Sequence, residues 1–391
     1  MKKGWQTARL GDLIELISGQ HIDSKDYNTS GRGVGYLTGP SDFGPIYPVV
    51  TKWTEHPKIK AKKNDILITV KGSGVGKVNL MDADEVAISR QLMAIRVVNA
   101  ERQFVYLLLE SVFDHFQEES TGAAIPGISR EQVLGLQIPL PPLPEQQRIV
   151  GVLDEAFASL TAAQAHAAQN LQNARDLFES HLNAVFTQRV EGWMEKKLGE
   201  VSQFKNGLNY NKSSGGQTLP VVGVADFQDN YLVPLSELQS ATIDGVIADN
   251  YAIQPNDILT VRSNGSKHLV GRCMLVGDVD EVVSYSGFII RIRFDAKTIF
   301  PQFLLHFMKS QVTRDFLTAG GGGANINNIN QEKLSALLVP IPPYKTQVNL
   351  AAALDELREE TERLTQIYEQ KLAALAALKK SLLHQAFSGE L

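Results

Sequence analysis

Two long stretches of the chain place apolar side chains three or four residues apart, with no proline and no glycine except Gly151. In the first, Ile149, Leu153, Ala156, Leu160, Ala163, Ala167, Leu171, Ala174, Phe178, Leu182 and Val185 fall on one face. In the second, Leu350, Leu354, Leu357, Leu364, Tyr368, Leu372, Leu375 and Leu382 do the same, and Thr361 fills one seam position. This spacing is that of a coiled-coil seam. Each stretch predicts a helix of about 40 residues, on the order of 60 Å long and more than one small domain covers. Each helix therefore needs a partner. Small residues at Ala162, Ala163, Ala167, Ala352, Ala373 and Ala376 let two backbones approach, and an antiparallel pair within one chain is expected. Leu153, Leu160, Leu171, Phe186, Leu354, Leu357, Leu364, Leu375 and Phe387 are the positions expected to carry it.

Elsewhere the pattern is mixed. Short apolar runs at 65–70, 77–80 and 92–98 alternate with glycine-containing turns and read as strands, and an amphipathic helix follows near 103–117. A short helix is expected to start with Ser129 as its cap and Gln132 three residues on. A strand at 135–140 then runs into Pro139, Pro141, Pro142 and Pro144, where neither helix nor sheet should continue. Pro340, Pro342 and Pro343 punctuate the chain again. The fold class is α+β.

The second half of the chain restates the first. "ISREQVLGLQIPLPPLPEQQRIVGVLDE" from Ile128 aligns without a gap on "INQEKLSALLVPIPPYKTQVNLAAALDE" from Ile329, and "SHLNAVF" from Ser180 aligns on "SLLHQAF" from Ser381. "WQTARLGDLIELISG" from Trp5 resembles "WMEKKLGEVSQFKNG" from Trp193, "NDILITV" from Asn64 matches "NDILTV" from Asn256, and "AIRV" from Ala94 matches "RIRF" from Arg291. The ends of each unit are constant and the middles vary, as expected when a scaffold is kept and its loops carry specificity.

The 391 residues suffice for two or three domains. With 38 Lys plus Arg against 43 Asp plus Glu, the net charge of −5 offers no uniform cationic field, so any nucleic-acid site must be local. Acids gather on the second long helix at Asp355, Glu356, Glu359, Glu360, Glu362 and Glu369. The single cysteine, Cys273, excludes an internal disulfide framework, fits a reducing compartment and reads as core. No signal-peptide core or membrane-spanning run is present, and the expected location is cytoplasmic.

Several motifs resemble catalytic ones and fail. "KGSGVGK" at Lys71–Lys77 lacks the first glycine of a phosphate loop and has Val78 where Ser or Thr is needed, so a flexible interstrand loop is expected. "IPPY" at Ile341–Tyr344 puts isoleucine where an adenine methyltransferase needs an amine-binding Asn or Asp. "LDEAF" and "LDELR" carry acids read as lying in the first turns of the long helices, where they favour the macrodipole. The histidines lack metal spacing, and no catalytic residue or metal site is expected.

The whole constellation resembles the specificity subunit of type I restriction-modification systems. Its elements are the "W...LG(D/E)" opening, a variable region, "PLPPLPEQQRIV" at Pro139–Val150, a long helix ending in "SHLNAVF", and the unit again. The second copy departs from the motif at Thr346, Val348 and Asn349. The resemblance implies target-recognition domains at 1–144 and 191–345, each reading half of a bipartite DNA site, and conserved long helices at 145–190 and 346–391. The helices would act as a ruler and dock two modification (methyltransferase) subunits, and the assembly would recruit ATP-dependent restriction subunits. S-adenosylmethionine and ATP with Mg would serve those partner subunits. This chain would bind none of them and would not itself be an enzyme.

Candidate DNA contacts are the donors of the variable loops. In the first half these are Lys25, Asn28 and Arg32, then Lys71, Ser73 and Lys77, then Arg90 and Gln91. In the second they are Asn209, Asn211 and Lys212, then Arg262, Asn264, Lys267 and His268, then Arg272. Arg and Lys suit guanine O6 and N7, Asn and Gln suit adenine N6 and N7, and many lysines touch only phosphate. The glycine-containing stretches from Thr121 and Ala319 lie at matching positions and either approach the DNA backbone or serve as connectors. The alternative reading is a coiled-coil adaptor that organises partners without reading sequence.

Overall fold

The computed structural model describes residues 4–120, 126–188, 192–210, 215–228, 230–266, 268–319 and 327–391, the side chain of Asn327 excepted. The chain divides into two units, one of Met1–Ala168 with Gln370–Leu391 and one of Gln169–Glu369. The first carries β1 (Gln6–Arg9), β2 (Ile14–Ser18), β3 (Val34–Leu37), β4 (Trp53–Thr54), β5 (Lys60–Lys62), β6 (Ile66–Thr69), β7 (Val78–Leu80), β8 (Glu85–Ile88) and β9 (Leu92–Val97). These are followed by α1 (Arg102–Ser111), α2 (Phe113–Glu119), α3 (Arg130–Gly135), β10 (Gln137–Leu140) and the start of α4 (Leu143–Thr187). Its sheets have the orders β2-β9-β6-β7, β4-β3-β8-β5 and β1-β10.

The second unit repeats this plan. After the end of α4 come β11 (Met194–Lys197), α5 (Leu198–Val201), β12 (Ser202–Asn206), β13 (Thr218–Val222), β14 (Ser240–Thr242), β15 (Ile258–Val261), β16 (Ser263–Asn264), β17 (Cys273–Leu275), β18 (Ser284–Tyr285) and β19 (Ile289–Phe294). Then follow α6 (Pro301–Lys309), α7 (Gln311–Thr318), β20 (Asn327–Asn328), α8 (Gln331–Ala336), β21 (Leu338–Ile341) and the start of α9 (Tyr344–Ser388). The sheet β12-β19-β15-β17 corresponds to β2-β9-β6-β7, and β11-β21 to β1-β10. The expected mixed α/β halves, long helices and internal repeat are therefore present.

Central strands show no polar alternation because both faces are covered. Ile66 and Ile68 face the core shared with α1, while Leu67 between them faces the sheet β4-β3-β8-β5. The expected helix near 103–117 is two helices, α1 and α2, broken at Val112. The break lets Phe116 turn into the same core as Phe104. The second unit breaks at the equivalent place, where Ser310 caps α7. Ser129 does cap α3, with its hydroxyl accepting from the Gln132 amide and Gln132 returning the bond.

The proline clusters are junctions rather than stops. Pro139 lies within β10 opposite Thr7, Pro340 lies within β21 opposite Glu195, and Pro144 sits in the first turn of α4. Both strands are two-stranded edges, where a missing donor is tolerated.

The preserved stretches each have a structural reason. Asp65, 1% exposed, accepts two bonds from the Arg96 guanidinium at 3.0 and 2.9 Å, and Asp257, equally buried, accepts two from Arg293 at 2.7 and 2.6 Å. The matching "NDIL" and "IR" fragments are thus the two ends of one clamp. Asn64 and Asn256 adopt φ of 74° and 72° in the turns before the acids, a conformation asparagine tolerates better than most residues. In the proline-rich motif, buried Gln146 accepts from the Glu101 amide at 2.8 Å and donates to the Pro141 carbonyl at 2.8 Å. Gln347 does the same with Phe300 and Pro342. Gln146 thus ties the start of α4 to the cap of α1, and Gln347 ties the start of α9 to the cap of α6. In the "LG" openings, a side chain on Gly199 would strike Ser335 of α8, and one on Gly11 would press on Leu134 of α3.

Within each unit the long-helix segments run antiparallel. In the first, Arg148 donates to the Leu391 carbonyl at 2.9 Å, the Lys379 ammonium lies 5.0 Å from the Phe157 ring centre, and Ile149 and Leu153 share a core with Leu383 and Ala386. In the second, Arg175 pairs with Glu369 at 2.8 Å, and Ala351 and Leu354 share a core with Phe178, Leu182 and Phe186. Of the singled-out positions, Leu153, Leu160, Phe186 and Leu354 are buried, and Leu171, Leu357, Leu364, Leu375 and Phe387 half-buried. Two of them reach past the seam. The Phe387 ring meets Phe104 of α1 at 5.2 Å, and the Phe186 ring meets Phe303 and Phe307 of α6 at 5.5 and 5.3 Å.

The acids of "LDEAF" and "LDELR" lie about three turns inside their helices, beyond the reach of the terminal dipole. Asp355 instead sits 3.0 Å from the Nε2 of fully buried His306. Partial burial pushes the Asp154 carboxyl up, and Glu101 adds to the effect.

Candidate DNA interface

In the first unit three segments converge on one rim. The backbone amide of Val70, just before Lys71, donates to the Gln91 carbonyl at 2.8 Å, and the Ser89 hydroxyl donates to the Thr38 carbonyl at 2.5 Å. Gly39 leaves room for the Gln91 side chain, and Gly74 for the ring of Pro40. Lys71, Ser73, Lys77, Arg90 and Gln91 are all exposed along this rim. The loop from Lys71 to Lys77 differs from the expected flexible connector. Gly74, Val75 and Gly76 are buried, Gly76 donates to Thr69 at 2.9 Å, and Gln117 of α2 donates to the Val75 carbonyl. Its middle is anchored and its polar ends are displayed.

Buried Asp42 fixes the third segment by accepting from the Thr38 amide at 2.6 Å and hydroxyl at 2.8 Å. Lys52 reaches the same Thr38 hydroxyl at 3.4 Å and lies 5.7 Å from the Tyr27 ring centre, which brings to the rim a cation the sequence reading missed. Nothing in its local pattern distinguishes it.

Asn28 is not available for base readout. Its Oδ1 accepts from the Ser30 amide and hydroxyl and the Arg32 amide, and its Nδ2 donates to the Arg32 and Trp53 carbonyls. It builds the turn that displays exposed Arg32, while Lys25 stands exposed on the preceding short helical turn.

The second unit builds the same rim from the same backbone bonds. The amide of Arg262 donates to the Phe288 carbonyl at 2.8 Å, as Val70 does to Gln91. The amide of Ile329 donates to Arg262 at 2.8 Å, as Ile128 does to Val70 at 3.0 Å. The side chains differ. Asn209 stands exposed against Gly287, Arg262 donates from Nε to Asn328 Oδ1 at 3.4 Å, and Phe288 is 61% exposed where the first rim has Gln91. Phe288 was not singled out, although its position after "SYSG" gave a signal: an aromatic residue breaking an otherwise small and polar turn.

Asn264 and His268 shape their own loop. Asn264 Oδ1 accepts from the Ser266 amide at 2.8 Å, and His268 Nδ1 lies 3.0 Å from the Ser266 hydroxyl. Arg272 belongs elsewhere, donating to the His268 and Gln228 carbonyls beside a cavity of about 610 Å³ lined also by Lys309, Arg314 and Arg358. Asn211, Lys212 and Lys267 lie outside the described residues, as do most of the glycine-containing stretches from Thr121 and Ala319. Cys273 is buried, and burial pushes its thiol up to about 11, which opposes reactivity. Ile341 and Pro342 of "IPPY" are buried, and Tyr344 packs edge-on against Phe300 and donates to the Ala296 carbonyl. Among the described residues no group of three or more His, Cys, Asp or Glu is placed to hold a metal, and no helix is long and apolar enough to cross a membrane.

Two matching rims on duplicated frames define a protein with two equivalent presenting surfaces that carry different side chains. The model of the type I restriction modification DNA specificity domain matches residues 2–171 and again 190–372, and the chain belongs to that family. It is 26% identical over 284 residues to the StySPI specificity subunit of Salmonella potsdam, a match that takes in 70% of this chain and 61% of that relative. The chain thus spans less than two thirds of that relative's length. A solved structure concerned with complex assembly and conformational transition of the type I R-M system shares the fold. Its TM-score is 0.79 at 21% identity, over all of this chain and 99% of that one. The HsdS subunit from Thermoanaerobacter tengcongensis also shares it, with TM-score 0.62 at 19% identity over all of this chain and 98% of that one.

Proposed function

We propose that this chain is the sequence-reading component of a type I restriction-modification complex, in which each rim reads one half of a bipartite double-stranded DNA site. The observation that carries this reading is the identity of the backbone frame beside the difference of its side chains. Lys71, Ser73, Lys77, Arg90 and Gln91 stand on one frame, and Asn209, Arg262 and Phe288 on the other. A shared frame presents each set to a groove in the same way, while different donors and an apolar ring select different bases. The anchored loop middle supports this, because a preorganised loop loses less entropy on binding.

In this reading the paired long helices set the half-site spacing and dock two modification subunits, and restriction subunits join that assembly. The chemistry that uses S-adenosylmethionine and ATP belongs to those partners in the cytoplasm, and this chain directs it without catalysing it. With a net charge of −5 the chain alone should hold DNA weakly, and partner cations would complete the clamp. The reading is tested by methylation-sensitive sequencing of DNA from cells that express the chain with its modification subunit, against cells lacking only this chain. A bipartite methyladenine motif that vanishes without the chain is expected. An unchanged methylome, with the chain expressed and assembled, would favour an adaptor that reads no sequence.

A further inference from the structure

The two places where a long-helix end packs on a domain have the same apolar centre and opposite charges. In the first unit Phe387 near the end of α9 meets Phe104, and in the second Phe186 at the end of α4 meets Phe303. Phe104 and Phe303 occupy the same place in the repeat, as do Phe387 and Phe186, so the apolar contact alone does not distinguish one helix end from the other.

The charges beside it do. In the first unit the helix end is cationic and the domain acidic: Lys379 pairs with Glu110 at 3.0 Å and Lys380 with Asp114 at 3.1 Å. In the second unit the signs are inverted. The repeat puts Glu179 where the first unit has Lys380, and Lys309 where it has Glu110. Glu179, Lys309 and Arg314 line one cavity, where burial pushes the Glu179 carboxyl up and the fields of the two cations offset part of that rise. Lys379 corresponds to Phe178, which is buried in the second unit's core.

An exchange of helix ends would set the charged positions against their own sign. The end of α4 on the first domain would set Glu179 against Glu110 and Asp114, and the end of α9 on the second would set Lys379 and Lys380 against Lys309 and Arg314. Such exchange is a real hazard for a duplicated chain, because a second copy offers the same apolar sockets. Like charges brought together discriminate between partners even where each attractive pair contributes little.

We propose that these inverted charges address each helix end to one domain, so that the two homologous halves close within a single chain instead of exchanging ends with a second copy. The inference concerns assembly of the chain and does not depend on what the rims bind.

The test recreates the second unit's junction in the first, in the full-length protein. K379F/K380E gives the end of α9 the residues of α4, and E110K then supplies the lysine that α6 carries. Hydrogen exchange of the amides of residues 376–391 is read by mass spectrometry, with α6 as the internal control. K379F/K380E is expected to speed that exchange about tenfold, the size of one modest surface pair lost and a second turned from attraction to repulsion. Adding E110K should return it to within about twofold of the original, whereas E110K alone should also loosen the end. Unchanged exchange in K379F/K380E, or a loss that E110K deepens instead of repairing, would overturn the address. The E110K single variant separates charge matching from simple damage, because a merely structural role for Glu110 predicts additive losses.

Discussion

Asp257→Ala is expected to lower the stability of the second unit by about 4 kcal/mol, near the middle of the range for breaking one partner out of a buried pair. The aspartate is 1% exposed and accepts two bonds from Arg293 and one from the Gln254 amide, and the Arg291 Nε lies 4.0 Å away. Arg291 is 5% exposed, and its Nε has no hydrogen-bond partner. Removing the carboxylate would leave two guanidinium groups and one amide without their counter-charge at the centre of β15 and β19. Those bonds hold the pKa of Arg293 above its ordinary value, and without them the guanidinium still cannot shed its charge, because arginine stays protonated in proteins. Asp65→Ala should cost less, since its partner Arg96 keeps a third of its side chain in solvent and also lies 3.6 Å from Glu15. Urea denaturation followed by hydrogen exchange in the two sheets separates the cases. Equal, small losses at both sites would contradict the clamp.

Gln347→Ala is expected to cost about 3 kcal/mol, because it strands a buried amide and a buried carbonyl together. Gln347 is 1% exposed, accepts from the Phe300 amide at 2.8 Å, and donates to the Pro342 carbonyl at 2.9 Å and the Thr298 carbonyl at 3.3 Å. Pro342 and Pro343 have no amide to donate, so this side chain holds the junction where the sheet edge becomes α9. Gln347→Met keeps the volume and loses the bonds. It should be nearly as damaging as alanine in a thermal melt, and a methionine variant as stable as the parent would show that filling space is the residue's whole role.

These predictions mark what was legible in the sequence. The duplication, the long helices and the Ser129 cap were readable because they are signals of period, spacing or a few adjacent residues. The Asp65–Arg96 clamp shows in the sequence only as two matching fragments, because its ends are joined only by the pairing of β6 with β9. Gln146 stands inside the proline-rich motif beside four prolines and other polar residues, and its importance is set by burial. The pairing of β1 with β10 closes more than 120 residues of chain and has no local signature.

At the rims the sequence marked the loops that carry donors, but it could not separate display from construction. Asn28 and Arg272 have the same chemistry as Gln91 and Arg262, yet Asn28 spends its hydrogen bonds on the turn it builds and Arg272 spends its own on the His268 and Gln228 carbonyls. Lys52 and Phe288 gain their places from how distant segments meet. The break at Val112 was hidden because both helices bury the same apolar stripe.

The most direct measurement of the central claim is the methylome after exchanging one rim. Residues 1–140 are replaced by the same region of another family member, the rest of the chain is kept, and methylated sites are sequenced from cells carrying the modification subunit. The account predicts that one half of the bipartite motif changes completely while the other half is retained. Retention of both halves, in a chain that folds and assembles, would contradict it.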